Sequence, residues 1–96
     1  MQPNEIIKKV TELCRKYSAE EAVLFGSRAK GTALERSDFD IAVSGVKDFY
    51  SMQEEVEDIP TLFKIDLVNM DTCHNTLLLE DIKEYGKKIY EKTPFL

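Results

Sequence analysis

The spacing of apolar residues changes several times along the chain, and each change marks an element. Between residues 4 and 17, Ile6, Ile7, Val10, Leu13, Cys14 and Tyr17 recur at helical intervals, which predicts a first helix with Asn4 as its N-cap. Residues 21–25 read as a short strand, whose Ala-Val-Leu-Phe run implies burial on both faces. Ser27 opens a short helix that Gly31 ends, and residues 39–44 form a second strand closed by Ser44-Gly45. A further helix covers 48–59, with Phe49, Met52, Val56 and Ile59 as its inward stripe and Pro60 as its stop. Residues 64–69 alternate as a third strand around Asp66. A last helix over 76–85 carries Leu77, Leu78, Leu79 and Ile82 as a stripe read as core, part of which could form a partner surface; Gly86 caps it, and 88–91 add an edge strand. The interleaving predicts an α/β (α+β) fold, a small mixed β-sheet flanked by helices.

Composition narrows the setting. No internal repeat, low-complexity tract or linker interrupts the pattern, so residues 1–96 read as a single domain with one modest core. A net charge of −5 argues against non-specific nucleic-acid binding, which calls for a positive surface. It suits a site where Mg²⁺ offsets clustered carboxylates, or docking on a basic protein. No apolar run approaches the roughly 20 residues that cross a bilayer. The two cysteines, Cys14 and Cys73, form no disulfide framework, and a reduced cytoplasmic location follows as the expectation. Cys73-His74 lacks the partners a tetrahedral zinc site needs and reads as part of a turn.

Chemistry concentrates in one stretch. Gly26-Ser27 ends the first strand; ten residues later Asp38-Phe39-Asp40 enters the second. Alternate strand positions share a face, so Asp38 and Asp40 aim two carboxylates at one region while Phe39, Ile41 and Val43 turn into the core. Hard oxygen ligands beside a glycine-serine turn suit Mg²⁺ and a phosphate chain. Asp66 lies in Ile65-Asp66-Leu67-Val68, where an ionised carboxylate is costly unless paired or bound to metal. Its bland reading is a solvent-facing strand aspartate. As the third aspartate on the strands of one small sheet, it completes a carboxylate set suited to two-metal nucleotidyl transfer.

Rival phosphate motifs fail. Gly26 and Gly31 have P-loop spacing, but Thr32 stands where the essential lysine belongs, and there is no Gly-x-Gly for a dinucleotide site. What remains is a strand ending in Gly26 with Ser27 opening a helix, where main-chain N–H groups and a hydroxyl can meet phosphate oxygens. Arg28, Lys30 and Arg36 bracket the motif as candidate phosphate contacts. Glu54, Glu55, Glu57 and Asp58 read as a solvated helix face that would also receive a basic partner.

Taken together, Gly26-Ser27, Asp38-Phe39-Asp40 and Asp66 resemble the DNA polymerase beta-like nucleotidyltransferase superfamily, and the text from Val23 to Val43 resembles its minimal nucleotidyltransferase (MNT) branch. The resemblance implies two Mg²⁺ ions held by Asp38, Asp40 and Asp66, a triphosphate gripped by Gly26 and Ser27, and transfer of a nucleoside monophosphate from an NTP; ATP is the expected donor, with Arg28 a candidate phosphate contact beside the turn. It also implies a partner: such proteins are often the antitoxin of a HEPN-type ribonuclease toxin. A partner hydroxyl, a tyrosine foremost, is then the expected acceptor, and the chain is expected to form an oligomer with that partner rather than to bind nucleic acid or membrane. Two alternatives stay open at this point: an antitoxin that acts by occlusion without catalysis, and a small-molecule (antibiotic) nucleotidyltransferase, for which about 50 residues beyond the aspartate pair leave little room.

Overall fold

Alternation along the central strand organises the computed structural model, which describes residues 2–31 and 37–92. The order is α1 (Pro3–Lys16), β1 (Glu21–Phe25), α2 (Ser27–Lys30), β2 (Phe39–Ser44), α3 (Phe49–Glu57), β3 (Ile65–Asn69), α4 (Thr76–Tyr85) and β4 (Lys87–Glu91). In β2, Phe39, Ile41 and Val43 point to one side, where they meet Ile6, Val10 and Cys14 of α1 and Met52 and Val56 of α3 in the main core. Ala42 points to the other side and joins Val23, Phe25 and Ile82 of α4 in a smaller cluster. Helices therefore cover both faces.

The sheet has the order β3-β2-β1-β4. β1 runs antiparallel to both β2 and β4, while β2 and β3 are parallel. Parallel neighbours need a crossover, and α3 supplies it. The expected mixed sheet is thus present, with β3 and β4 as its edges.

Several boundaries carry physical information. α1 starts one residue before the expected cap: Gln2 is the N-cap and Pro3 takes the first turn, where its fixed φ and missing N–H cost nothing. Asn4 is inside the helix, so the capping role read for it is corrected. Asp48 does cap α3, accepting from Ser51 N–H at 3.2 Å, and Asn75 caps α4, accepting from Leu78 N–H at 3.1 Å. α3 ends at Glu57, two residues short of the expected Ile59 and clear of Pro60. Leu77 is 78% exposed, so the expected leucine stripe of α4 reaches the core through Ile82, with Leu78 half-buried against it. In the acidic run of α3, Glu54, Glu57 and Asp58 are solvated as expected, but Glu55 accepts from Lys16 and Tyr17 and ties α3 to α1.

Candidate active site

The turn after β1 sets the geometry. Gly26 adopts φ 75° and ψ −156°, a conformation essentially reserved for glycine, and this lets the strand break at once into α2. A Cβ at that position would collide with Asp40 Oδ2, so the Asp40 carboxylate lies directly against the Gly26 main chain. Antiparallel pairing of Phe25 with Asp40 enforces this closeness.

Across the sheet, parallel register places Asp66 opposite Asp40, and their side chains share the face that carries α4. Asp38, two residues before Asp40, is exposed at the entry to the same strand. Partial burial pushes the Asp40 carboxyl above the ordinary range, and the neighbouring charges of Asp66 and Asp38 push it further the same way. Lys64 opposes that shift from the same face; its Nζ is 3.7 Å from Asp66 Oδ1. Asp38 and Asp66 therefore both act on Asp40, with Asp66 opposite it. Among the described residues no three carboxylate, histidine or cysteine side chains are gathered as a finished metal cage. The donor chemistry nonetheless fits a hard divalent cation: carboxylate oxygens, of which those of Asp40 and Asp66 are half-buried, and a positive charge would relieve the repulsion that Asp38 and Asp66 exert on Asp40.

Two of the basic residues have partners within the protein. Arg28 donates from Nε and Nη2 to Ser37 O at 3.0 and 2.7 Å, and its guanidinium lies 4.0 Å from the Phe39 ring centre and 5.1 Å from that of Phe63. It joins α2 to the segment that leads into Asp38. Lys30 pairs with Asp81 of α4 at 2.9 Å. Arg36 lies outside the described residues. The residues 73–74 sit in the turn before α4, as expected.

Sequence reasoning missed two members of this neighbourhood. Lys64 stands two residues before Asp66, a period-two signal that was available. Phe63 carries no comparable signal, because its contact with Arg28 depends on where the chain enters β3.

Comparisons with known proteins agree with this fold. Residues 8–95 match the family described as Polymerase beta, Nucleotidyltransferase. A protein of Methanocaldococcus jannaschii, named "Putative protein adenylyltransferase MJ1379", is 34% identical over 87 residues, covering 83% of this chain and 87% of its own length. Among solved structures, a toxin-antitoxin with AMP-PNP superposes with a TM-score of 0.70 at 25% identity, covering 91% of this chain and 74% of that one. The Y104A mutant of the toxin-antitoxin MntA-HpeT gives a TM-score of 0.64 at 26% identity, covering 97% of this chain and 75% of that one. The class is therefore that of a nucleotidyltransferase. More specifically, the chain belongs to the polymerase beta nucleotidyltransferase family, and its similarity to a protein named as an adenylyltransferase and to toxin-antitoxin structures agrees with the minimal branch.

Proposed function

We propose that residues 1–96 form one minimal nucleotidyltransferase domain that moves AMP from ATP to a hydroxyl on a partner protein, as the antitoxin of a HEPN-type toxin. The observation that carries this reading is the in-register pair of Asp40 and Asp66 seated beside Gly26. Asp38, Asp40 and Asp66 would hold two Mg²⁺ ions, which when bound supply charge neutralisation at the α-phosphate and the departing pyrophosphate. Gly26 and Ser27, at the turn where β1 breaks into α2, would orient the β- and γ-phosphates. Arg28 fixes the segment before Asp38, so the two halves of the site keep their spacing. Asp66, on the edge strand, is the carboxylate best placed to take the proton from an incoming hydroxyl. A solved relative with AMP-PNP supports ATP as donor. No helix among the described residues is long and apolar enough to cross a membrane, and the two free cysteines suit a reducing cytoplasm.

Incubation with α-labelled ATP, Mg²⁺ and co-purifying proteins tests the reading. Label is expected on a partner hydroxyl and is expected to vanish with Asp38→Asn or Asp40→Asn while the fold persists. Retained labelling by either variant overturns it. The exposed acidic residues Glu54, Glu57 and Asp58 favour a second reading, a protein-docking surface that neutralises by occlusion. Under that reading the double aspartate variant still protects cells from a co-expressed toxin.

A further inference from the structure

The two edges of the sheet are not alike. β4 is guarded by Lys87, Lys88 and Glu91 and by an irregularity opposite Ala22 and Val23, devices that discourage a further strand. β3 reads Ile65-Asp66-Leu67-Val68-Asn69 and has neither a bulge nor a proline. Phe39 N–H donates to Lys64 O at 2.9 Å, and Met70 N–H donates to Val43 O at 2.8 Å. In a parallel ladder those two bonds turn the main-chain groups of Asp66 and Val68 toward β2. The N–H and C=O of Ile65 and Leu67 consequently face outward, and neither residue has a hydrogen-bond partner there among the described residues.

Alongside this edge runs a groove of about 300 Å³ between α3 and β3, where apolar Val56, Phe63 and Leu67 alternate with polar Gln53, Glu57 and Lys64. The groove lies on the α3 side of the sheet, whereas Asp40 and Asp66 lie on the α4 side. Side chains of an added strand alternate between those two sides. A residue opposite Asp66 would stand beside that carboxylate, as Asp66 stands beside Asp40, while its two neighbours would drop into the groove. Glu54, Glu57 and Asp58 make the adjoining helix surface acidic, which selects a basic occupant.

We propose that β3 accepts an extended, basic segment of the partner protein as a fifth strand, with apolar residues in the α3 groove and the acceptor hydroxyl at the position opposite Asp66. This deepens the transfer reading above and rests on it for the role of the hydroxyl; the docking itself rests on the open edge, the groove and the charge. Main-chain bonds would give affinity regardless of sequence, and alternation would select which hydroxyl reaches the carboxylates.

The test uses the ¹⁵N-labelled full chain and the synthetic peptide Lys-Lys-Thr-Ile-Tyr-Ile-Thr-Lys-Lys, with amide exchange as readout. Exchange is expected to slow on the order of tenfold at Ile65 and Leu67, and to change little at Asp66 and Val68, whose N–H groups already bond to β2. Leu67→Pro removes an outward donor without breaking the ladder and is expected to weaken peptide binding about tenfold. Should that variant misfold, Glu57→Lys on the exposed helix surface reports instead, again with weaker binding expected. Protection that is uniform, absent or confined to another element overturns the proposal, as does undiminished binding by both variants. Concentration-dependent protection of Ile65 and Leu67 in the chain alone assigns the edge to a second copy and overturns the partner assignment. A parallel sample with Mg²⁺ and α-labelled ATP separates the two readings. Alternating protection without label on the peptide tyrosine supports docking and counts against transfer; label without that protection does the reverse.

Discussion

Asp40 and Asp66 stand opposite each other on adjacent parallel strands, and the Asp40 carboxyl is held above its ordinary range by burial and by the charges of Asp66 and Asp38. A carboxyl whose pKa is higher in the folded than in the unfolded chain favours folding only while protonated. Its contribution is therefore complete below the ordinary carboxylate pKa and is lost as pH rises through the raised value. At neutral pH the ionised pair works against the fold. Asp40→Asn should thus be more stable than the parent at pH 7, with a higher melting midpoint. The advantage should shrink as pH falls toward 4. Thermal unfolding across that range checks it; a destabilised variant at pH 7 would contradict the assigned repulsion.

Gly26 couples backbone conformation to the position of that same carboxylate. Gly26→Ala forces a side chain into a glycine-only conformation, at about 1–3 kcal/mol, and drives its Cβ into Asp40 Oδ2. The expected result is a lower melting midpoint together with a loss of transfer larger than the loss of folded protein explains. Chemical denaturation and labelling assays on the same preparation separate the two. Full activity in a folded Gly26→Ala variant would show that the carboxylate can move freely.

Arg28 should behave as a positioning residue. Its two donors converge on Ser37 O, and its flat face covers the Phe39 ring. Lysine can reproduce the charge but neither the fork nor the stack. Arg28→Lys is expected to cost about 1 kcal/mol of stability and to lower kcat with little change in the KM for ATP, because the segment before Asp38 loosens. A large rise in KM alone would point instead to direct phosphate contact.

How much of this was legible depended on the range of the interaction. The strands β1 and β2 fall where alternation placed them, because their buried residues are set by local period. Asp66 could be singled out for the same reason: a charge within an apolar strand needs a partner wherever that strand packs. The protein partners of Arg28 could not be read from sequence. Its partners, Ser37, Phe39 and Phe63, are brought together by the sheet, and an arginine beside a glycine-serine turn looks the same whether it faces phosphate or an aromatic ring. Leu77 failed for a related reason. Helical spacing defines a stripe, but the small face of the sheet opposite α4 is wide enough to bury only Ile82 fully.

Mg²⁺ should reverse the electrostatics of the aspartates. A divalent cation between Asp40 and Asp66 would turn repulsion into attraction and stabilise the folded chain by about 1.4 kcal/mol at a tenfold excess over its Kd. Protons compete for the same oxygens, so the gain should be large near pH 7.5 and fade as pH falls through the raised Asp40 value. Asp40→Asn should lose most of the Mg²⁺ effect at every pH, since it removes both the repulsion and a ligand. Melting curves of parent and variant, each with Mg²⁺ and with chelator, supply the four measurements needed. An equal Mg²⁺-dependent rise in both proteins would place the cation elsewhere and detach Asp40 from metal binding.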